Sequence, residues 1–522
     1  MTSWTLEQKA AQMLIVGFEG LEPPDYILEW LAEGRIGGII LFARNVQSPT
    51  QLARLTRMCH EAARTPILIG IDQEGGTVAR LHEKFGFTES PGAMAIASTG
   101  SSEYAEQTAA MLATEMRELG INWVYAPVVD VTHSTENATV GTRSLGTDKD
   151  EVARLAVAEV KGFQSNGVIA SPKHFPGLGN TPVDTHLALA VIDEDLDFLW
   201  NQDLIPFRAA VDAGADCVMV SHVMFTQLDP DYPSTLSKKI STDLLRGEIG
   251  FTGAVCTDCM EMKAVSGHWG AGESAVLAAL AGSDLIHFSH TRRMQEEVSA
   301  ALTEAVQSGR LPSERVEDAF ERIQKLKATY PAVNLSVEKV GSPERRAAMD
   351  AIAREAVVVL QPSSYFPLDT DAHKIGLIEF GSWLDSGAVE GGDKASLSRI
   401  MAEKLPQLQT FSMMSDDERP ETMKTALALV DAVDVVVLAT RNAHLLEMQL
   451  QKSKQLAEAV HAQGKVLLLL ALRNPYDVLH IPHVDGALCA CGDSAPSVRA
   501  IADVLTGESI PQGKLSVEMP VW

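Results

Sequence analysis

Two aspartates and one histidine in this chain are spaced so that they could transfer protons and form a covalent bond. Asp184 and His186 stand two residues apart in a turn-rich stretch, and Asp258 directly follows an apolar run. A carboxylate can attack an electrophilic carbon, and an imidazole, with an ordinary pKa of ~6.5, can give and take a proton near neutral pH. A neighbouring carboxylate orients such a ring and stabilises its protonated form. These residues therefore predict a nucleophile, Asp258, and an acid/base pair, His186 with Asp184.

Further polar residues follow apolar runs, and their types suit the binding of hydroxyl groups. They are Asp72, Arg80, Arg143, Lys173, His174 and His222. Each of them alone has a structural explanation, because an aspartate after a strand often caps a helix and a loop arginine often pairs with a surface carboxylate. A histidine can be a satisfied interior ring. Structural roles would scatter over both ends of the strands, so their shared position predicts one polar site.

Apolar runs that alternate with amphipathic stretches predict the elements that carry these residues. The runs are Met13–Phe18, Gly37–Phe42, Ile67–Ile71, Asn122–Ala126, Val168–Ser171, Cys217–Ser221, Ala254–Thr257 and Asp284–Phe288. Repeated β-α units predict a parallel sheet, and eight strands are the number of a closed (β/α)8 TIM-like barrel. A doubly wound open sheet fits the same periodicity. In a barrel, the loops after the strands form the active site, so the polar residues would meet there.

A second α/β series predicts a smaller C-terminal domain. Its strand-like runs are Lys374–Phe380, Val433–Ala439, Lys465–Ala471 and Gly486–Ala490. Four such runs predict a small parallel sheet with helices on both faces, an αβα sandwich. A charged helical stretch ends just before Pro331. We therefore expect a barrel at 1–330, a linker at 331–343 and the sandwich at 344–522.

Composition and charge limit the expected partners and location. The 522 residues carry a formal charge of −26, so nucleic acid, which binds clustered cations, is not an expected partner. No apolar stretch approaches the ~20 residues that span a membrane, and the first residues lack a basic segment followed by an apolar one. We therefore expect a cytoplasmic protein without a membrane partner.

The cysteines predict neither disulfides nor a metal site. Cys256 and Cys259 have C-x-x-C spacing, but they straddle the end of an apolar strand instead of opening a helix. Cys489 and Cys491 lack the second ligand pair of a structural zinc site. Buried free thiols are the better interpretation. No strand of the second domain is followed by a G-x-G-x-x-G turn either, so no cofactor is expected.

The predicted nucleophile and acid/base pair fit the cleavage of a glycosidic bond. Its transition state resembles an oxocarbenium ion, so a carboxylate beneath the anomeric carbon either stabilises that carbon or bonds to it. Asp258 is the candidate for that role. His186 would protonate the departing oxygen and then deprotonate water.

Several strings resemble glycoside hydrolase family 3, in its β-N-acetylglucosaminidase branch, over nearly the whole first domain. The most specific of them is Lys-His-Phe-Pro-Gly at 173–177, followed by Asp-x-His at 184–186. The other matching strings are Gly37–Phe42, Asp72–Gly76, Tyr125–Asp130 and Gly141–Gly146. The end of the chain, Gly507–Val517, is similar to the family's second domain more loosely.

The resemblance implies the same roles as the chemistry does. Asp258 matches the family's nucleophile, His186 its acid/base and Asp184 the partner of that histidine. Sugar-binding positions of the family are matched or flanked by Asp72, Arg80, Arg143, Lys173, His174 and His222. The chain is thereby expected to be a retaining exo-β-N-acetylglucosaminidase that acts on amino-sugar oligosaccharides, such as those derived from peptidoglycan.

Three positions depart from the family's pattern. Leu178 stands where a histidine is usual, Thr185 replaces a serine, and Cys259 follows Asp258 where a second aspartate is common. Loss of that second negative charge would make the ionised form of Asp258 easier to sustain. None of the three departures removes a proposed catalytic atom.

Two other functions stay open at this point. A phosphorylase would use the same covalent intermediate, and a histidine acid/base, unlike a carboxylate, does not repel incoming phosphate. A non-catalytic sugar-binding protein is the second alternative, although it would have no reason to retain Asp184, His186 and Asp258 together. The sequence predicts no particular oligomeric state.

Overall fold

The computed structural model describes residues 4–181, 188–332, 335–381 and 396–520. Eight parallel strands of the N-terminal half form one sheet, and they coincide with the eight apolar runs of the sequence. In chain order they are β1 (Leu14–Val16), β2 (Gly38–Leu41), β3 (Leu68–Ile71), β4 (Trp123–Val124), β5 (Ile169–Ala170), β6 (Cys217–Val220), β7 (Ala254–Cys259) and β8 (Leu285–Phe288).

The sheet closes into a barrel. Neighbouring strands pair in the order β5-β4-β3-β2-β1-β8-β7-β6, and the two outer strands meet through a parallel bridge between Phe175 and Val220. There the Phe175 amide donates to the Met219 carbonyl, and the Ser221 amide donates to the Phe175 carbonyl, both at 2.8 Å. The (β/α)8 prediction is thus confirmed, and the alternative of an open sheet is wrong.

Helices surround the barrel and turn their apolar faces toward it. Several begin at a polar cap, as where the Asp148 carboxylate accepts from the amides of Asp150 and Glu151. The α-helices of this half are α1 (Leu6–Ala11), α2 (Asp25–Glu33), α3 (Pro49–Ala62), α4 (Ala93–Ser98), α5 (Ser102–Glu118), α6 (Lys149–Ser165), α7 (Leu196–Asn201), α8 (Leu204–Asp212), α9 (Lys263–Ser266), α10 (Ala271–Ala281), α11 (Arg292–Gln307) and α12 (Ser313–Thr329). No helix in the described part of the chain is long and apolar enough to cross a membrane.

The second half forms a separate six-stranded sheet between two layers of helices. Its strands are β9 (Val358–Gln361), β10 (Ile375–Phe380), β11 (Gln409–Met413), β12 (Val435–Thr440), β13 (Val466–Ala471) and β14 (Gly486–Cys489). Its α-helices are α13 (Pro343–Ala356), α14 (Leu397–Lys404), α15 (Pro420–Ala432), α16 (Glu447–Ala462), α17 (Asp477–His480) and α18 (Ala495–Leu505). Alternate residues of β12 enter different apolar clusters, Val435 and Val437 on one face and Val436 and Leu438 on the other. The predicted αβα sandwich is thus confirmed.

The sequence predicted four strands for this sheet and missed the two at its edges. The strand order is β9-β14-β13-β12-β10-β11, with β9 antiparallel to β14 and the other pairs parallel. Edge strands are buried on fewer sides, so β11 (Gln-Thr-Phe-Ser-Met) lacks the continuous apolar run of a central strand. β9 follows α13 after one residue and has no turn signal before it. The limits given above for the domains, with the barrel ending at residue 330 and the linker at residue 343, stay a prediction.

A buried cluster of charges lies at the amino-terminal end of the barrel strands. Asp284, which immediately precedes β8, is fully buried and lies 2.6 Å from Arg246, 2.5 Å from Arg315 and 3.4 Å from Arg322. One carboxylate oxygen also accepts from the Val255 amide at 2.9 Å. Asp284 therefore ties a β-strand to helix α12 at the end of the barrel that in this fold serves stability.

We expect Asp284→Ala to lower the free energy of unfolding by about 3–5 kcal/mol, because it leaves desolvated guanidinium groups without their carboxylate. Asp318→Ala is the matched control, since Asp318 contacts the same Arg315 and Arg322 but its side chain is 50% exposed; its loss should stay below about 1 kcal/mol. Urea denaturation followed by tryptophan fluorescence measures both. Equal losses for the two variants would contradict the assigned role of Asp284.

Candidate active site

A cavity of about 140 Å³ opens at the carboxyl ends of the barrel strands. Predicted site residues on its wall are Asp72, Arg80, Arg143, Lys173, His174 and Asp258. Asp184 and His186 lie outside the described residues. The strands that precede Asp72 and Asp258, β3 and β7, are four places apart in the eight-stranded barrel. The two carboxylates therefore belong to opposite sides of the cavity.

One wall of the cavity is a network of buried, paired charges. Lys173 Nζ lies 3.1 Å from Asp72 Oδ1 and 2.6 Å from Glu74 Oε1. Arg143 donates to both oxygens of Glu74, from Nε and Nη2, each at 2.8 Å. Arg80 adds a bond of 3.2 Å from Nη2 to Asp72 Oδ2. Side chains fixed in this way present both donors and acceptors to a ligand without having to reorganise.

The charges of this network stabilise one another. Burial alone would raise the pKa of Glu74, but attraction to Arg143 and Lys173 holds it far below its usual range. Burial alone would lower the pKa values of Arg143 and Lys173, but Glu74 raises both. All three groups therefore stay ionised across the physiological pH range.

His174 is held in one orientation. Its Nδ1 lies 2.7 Å from the buried carboxylate of Asp130, which also accepts from the backbone amides of His174 and Leu178. On the other side of the ring, Nη2 of Arg143 lies 3.4 Å from Nε2. His174 is thus fixed between Asp130 and the charged wall.

Asp258 lies on β7 at the side of the cavity opposite this wall. Its Oδ1 accepts from the Cys259 amide at 2.6 Å. His222, the remaining predicted site residue, lies beside the cavity: its Nδ1 is 2.8 Å from the Thr235 hydroxyl, and its Nε2 donates to the Cys259 carbonyl at 2.9 Å. His222 therefore supports the backbone next to Asp258.

Two aromatic side chains inside the barrel form the floor of the cavity. The Tyr125 hydroxyl lies 2.9 Å from Nε2 of His287, and the two rings meet edge to face. Burial raises the pKa of Tyr125 well above its usual value and lowers the pKa of His287 to about 4. Both groups are therefore neutral at neutral pH, and this floor adds no charge beneath a bound ligand.

Sequence reasoning missed several residues of the cavity. Glu74 and Asp130 stand within strings that were singled out, yet no role was assigned to them. His287 was passed over within an apolar run, although a histidine in a buried strand is itself a signal of a polar function. His290, at the rim beside Phe42, follows the same run by two residues and was also missed.

The structure shows the surroundings of two of the three positions that depart from the family pattern. The Leu178 side chain is buried in an apolar cluster, while its amide donates to Asp130 at 2.8 Å and its carbonyl accepts from Asn137 at 2.9 Å. Cys259 lines the cavity as a free thiol, and burial raises its pKa to about 12. A protonated thiol adds no negative charge at the position next to Asp258. Thr185 lies outside the described residues.

All six cysteines are free, and five of them are buried. Among the described residues no group of three or more histidine, cysteine, aspartate or glutamate side chains is placed to hold a metal ion.

The chain is similar to known proteins over both domains. The model of the "Glycosyl hydrolase family 3 N terminal domain" matches residues 5–326, and that of the family's C-terminal domain matches residues 263–521. The β-hexosaminidase A of Pseudoalteromonas piscicida is 28% identical over 95% of this chain and 91% of its own length. A β-hexosaminidase of Stenotrophomonas maltophilia (strain R551-3) is 37% identical over 55% of this chain and 86% of its own length.

A solved structure agrees with this similarity. The glycoside hydrolase family 3 β-N-acetylglucosaminidase from Paenibacillus sp. str. FPU-7 is 34% identical, covers 99% of both chains and superposes with a TM-score of 0.92. The chain therefore belongs to glycoside hydrolase family 3, in the branch that contains the β-N-acetylglucosaminidases.

Proposed function

We propose that the protein is a retaining exo-β-N-acetylglucosaminidase. One observation carries the proposal: Asp258 lies across a barrel-end cavity from the charged wall of Asp72, Lys173 and Arg143. Such a wall suits the hydroxyl groups of a terminal sugar, and a carboxylate on the opposite side suits its anomeric carbon. The names of similar proteins, β-hexosaminidase and β-N-acetylglucosaminidase, support an N-acetylated amino sugar as the substrate.

In the first step the Asp258 carboxylate attacks C1 of the sugar. A bond forms between C1 and a carboxylate oxygen while the bond between C1 and the glycosidic oxygen breaks. Protonated His186 gives its proton to the departing oxygen, and the Asp184 carboxylate stabilises the imidazolium before the transfer. The aglycone leaves as an alcohol, and the sugar stays on Asp258 as an ester.

In the second step water resolves the ester. Neutral His186 takes a proton from the water as its oxygen bonds to C1, and the bond between C1 and Asp258 breaks. The sugar is released with its original anomeric configuration, and both catalytic groups return to their starting protonation states. The charged wall takes no part in proton transfer, because Glu74, Arg143 and Lys173 stay ionised throughout.

As physiological substrate we propose oligosaccharides derived from peptidoglycan, or similar ones, that end in β-linked N-acetylglucosamine. Six free thiols, five of them buried, favour a reducing compartment, which supports the cytoplasm as the place of action. The enzyme would need no cofactor, since both steps use only its own carboxylates and an imidazole.

Replacement of the nucleophile tests the proposal directly. Asp258→Ala should lower kcat for an aryl N-acetylglucosaminide by at least about 10⁴-fold, because the covalent path is lost. A 2-deoxy-2-fluoro or related slow-release sugar should add its mass to the peptide that contains Asp258 in the parent enzyme only. Asp243→Ala, at an exposed carboxylate, is the control. Label on any other residue, or equal labelling of Asp258→Ala, would disprove this nucleophile.

The role of His186 predicts an effect that depends on the leaving group. A nitrophenolate needs little proton assistance, so His186→Ala should lower kcat/KM for a nitrophenyl glycoside by less than about tenfold. The same variant should lower kcat/KM for a natural disaccharide by about 10²–10⁴-fold. Equal losses on the two substrates would mean that His186 does not protonate the leaving oxygen.

The acceptor of the second step is tested with phosphate. We expect the rate of aryl N-acetylglucosaminide turnover to stay constant, within about twofold, as phosphate rises to a large excess, with free N-acetylglucosamine as the product. A sugar 1-phosphate product and a steep rise in rate would show a phosphorylase instead. No release of the aryl group between about pH 5 and 8, where a histidine changes its charge, would favour a non-catalytic sugar-binding protein.

A further inference from the structure

The loop of residues 131–147, here named the Arg143 loop, lies between the barrel and the second domain. On its barrel side Arg143 pairs with Glu74 in the cavity, and the Thr139 carbonyl accepts from Arg143 Nη1 at 2.8 Å. Asn137 donates to the Leu178 carbonyl at 2.9 Å. This loop thereby holds both a wall residue of the cavity and the stretch that precedes Asp184.

The outer side of the Arg143 loop contacts the second domain at its two ends. Near the start, the carbonyl of Thr135 accepts from Nε2 of His444 at 3.2 Å. Near the end, the Thr147 amide donates to the Ser516 carbonyl, and the Glu518 amide donates to the Thr147 hydroxyl, both at 3.1 Å. Bonds at both ends restrict the loop more than either bond could alone.

Glycines let the middle and the end of the loop approach the second domain closely. A Cβ on Gly141, where φ is +44°, would lie 3.3 Å from Nδ2 of Asn474. A Cβ on Gly146, where φ is +151°, would lie 2.3 Å from the Ser516 carbonyl oxygen, closer than real side chains allow. A side chain at Gly146 would therefore collide with the backbone of the second domain, and one at Gly141 would need an unfavourable backbone conformation.

His444 is itself firmly oriented. Its Nδ1 lies 2.7 Å from Oδ1 of buried Asp477, which also accepts from the His444 amide at 2.9 Å. The other oxygen of Asp477 accepts from the Thr440 hydroxyl at 2.6 Å. Carboxylate and carbonyl oxygens only accept hydrogen bonds. The His444 ring is therefore held between two acceptors, Asp477 at its Nδ1 and the Thr135 carbonyl at its Nε2.

We propose that His444 is a positioning residue of the active site: oriented by Asp477, it clamps the Arg143 loop and so fixes Arg143 in the sugar-binding wall. The second domain thereby supports the cavity through this loop, although none of its described residues lines the cavity. The effect on substrate rests on the proposed function, whereas the clamp itself does not. The clamp and its effect on substrate binding are therefore tested in separate experiments.

The clamp is tested by hydrogen exchange in the intact protein, which requires no substrate. His444→Phe keeps a ring of similar size and removes both donors, whereas His444→Gln keeps a donor that can reach the Thr135 carbonyl. His480→Phe is the matched control, since His480 stacks on His444 at 6.1 Å and has no hydrogen bond to the loop among the described residues. In His444→Phe, peptides covering 131–147 should exchange about tenfold faster. Peptides covering the barrel strand β1 should keep their rates in all three variants, and peptides covering 131–147 should keep theirs in His444→Gln and His480→Phe. Peptides next to Asp477, which loses a hydrogen bond in His444→Phe, should exchange faster in that variant as well.

The positioning role is tested on an aryl N-acetylglucosaminide. His444→Phe should raise KM about five- to tenfold with little change in kcat, because Arg143 binds the sugar but transfers no proton. His444→Gln should restore most of the loss, and His480→Phe should match the parent enzyme.

Several results would overturn the proposal. Unchanged exchange of residues 131–147 in His444→Phe would show that no clamp exists. Faster exchange with unchanged KM would show that the clamp does not position the site. Faster exchange across the whole second domain, not restored by His444→Gln, would show that His444 only stabilises that domain. A parent enzyme inactive on every N-acetylglucosaminide would refute the proposed function, while the exchange experiment would still decide the clamp.

Discussion

The pairing of Glu74 with Arg143 and Lys173 is the constraint on which the geometry of the site depends. The three charges are buried, and a buried charge that loses its partner costs about 3–5 kcal/mol. They come from three separate segments: the loop after β3, the loop after β5 and the Arg143 loop. None of these segments can shift alone without breaking a pair, so the wall that would receive a sugar is fixed before the sugar arrives.

Most of the fold was predictable because strands buried in a parallel sheet are nearly continuous apolar runs. All eight barrel strands and the central strands of the second sheet were found in this way. The edge strand β11 was missed because its residues carry less of that signal, and β9 was missed because it follows helix α13 after one residue, with no turn signal between them. The closure at Phe175 and Val220 has no signature in the sequence, because two residues far apart in the chain make it.

The site was predictable to the extent that polar residues directly follow strands. That rule found Asp72, Lys173 and Asp258, all of which line the cavity. It assigned no role to Glu74, two places after Asp72, because a sequence does not show which of several neighbouring carboxylates will be buried against a cation. His222 also satisfied the rule, and its Nε2 bonds to the backbone next to Asp258.

The paired charges of the wall make its electrostatic pattern nearly independent of pH. Attraction between partners outweighs burial and keeps Glu74, Arg143 and Lys173 ionised. His287, in the floor of the cavity, is kept neutral by burial. These four groups therefore keep the same charge from weak acid to weak base. Other groups in the cavity can gain or lose a proton while this part of its surface presents an unchanged electric field.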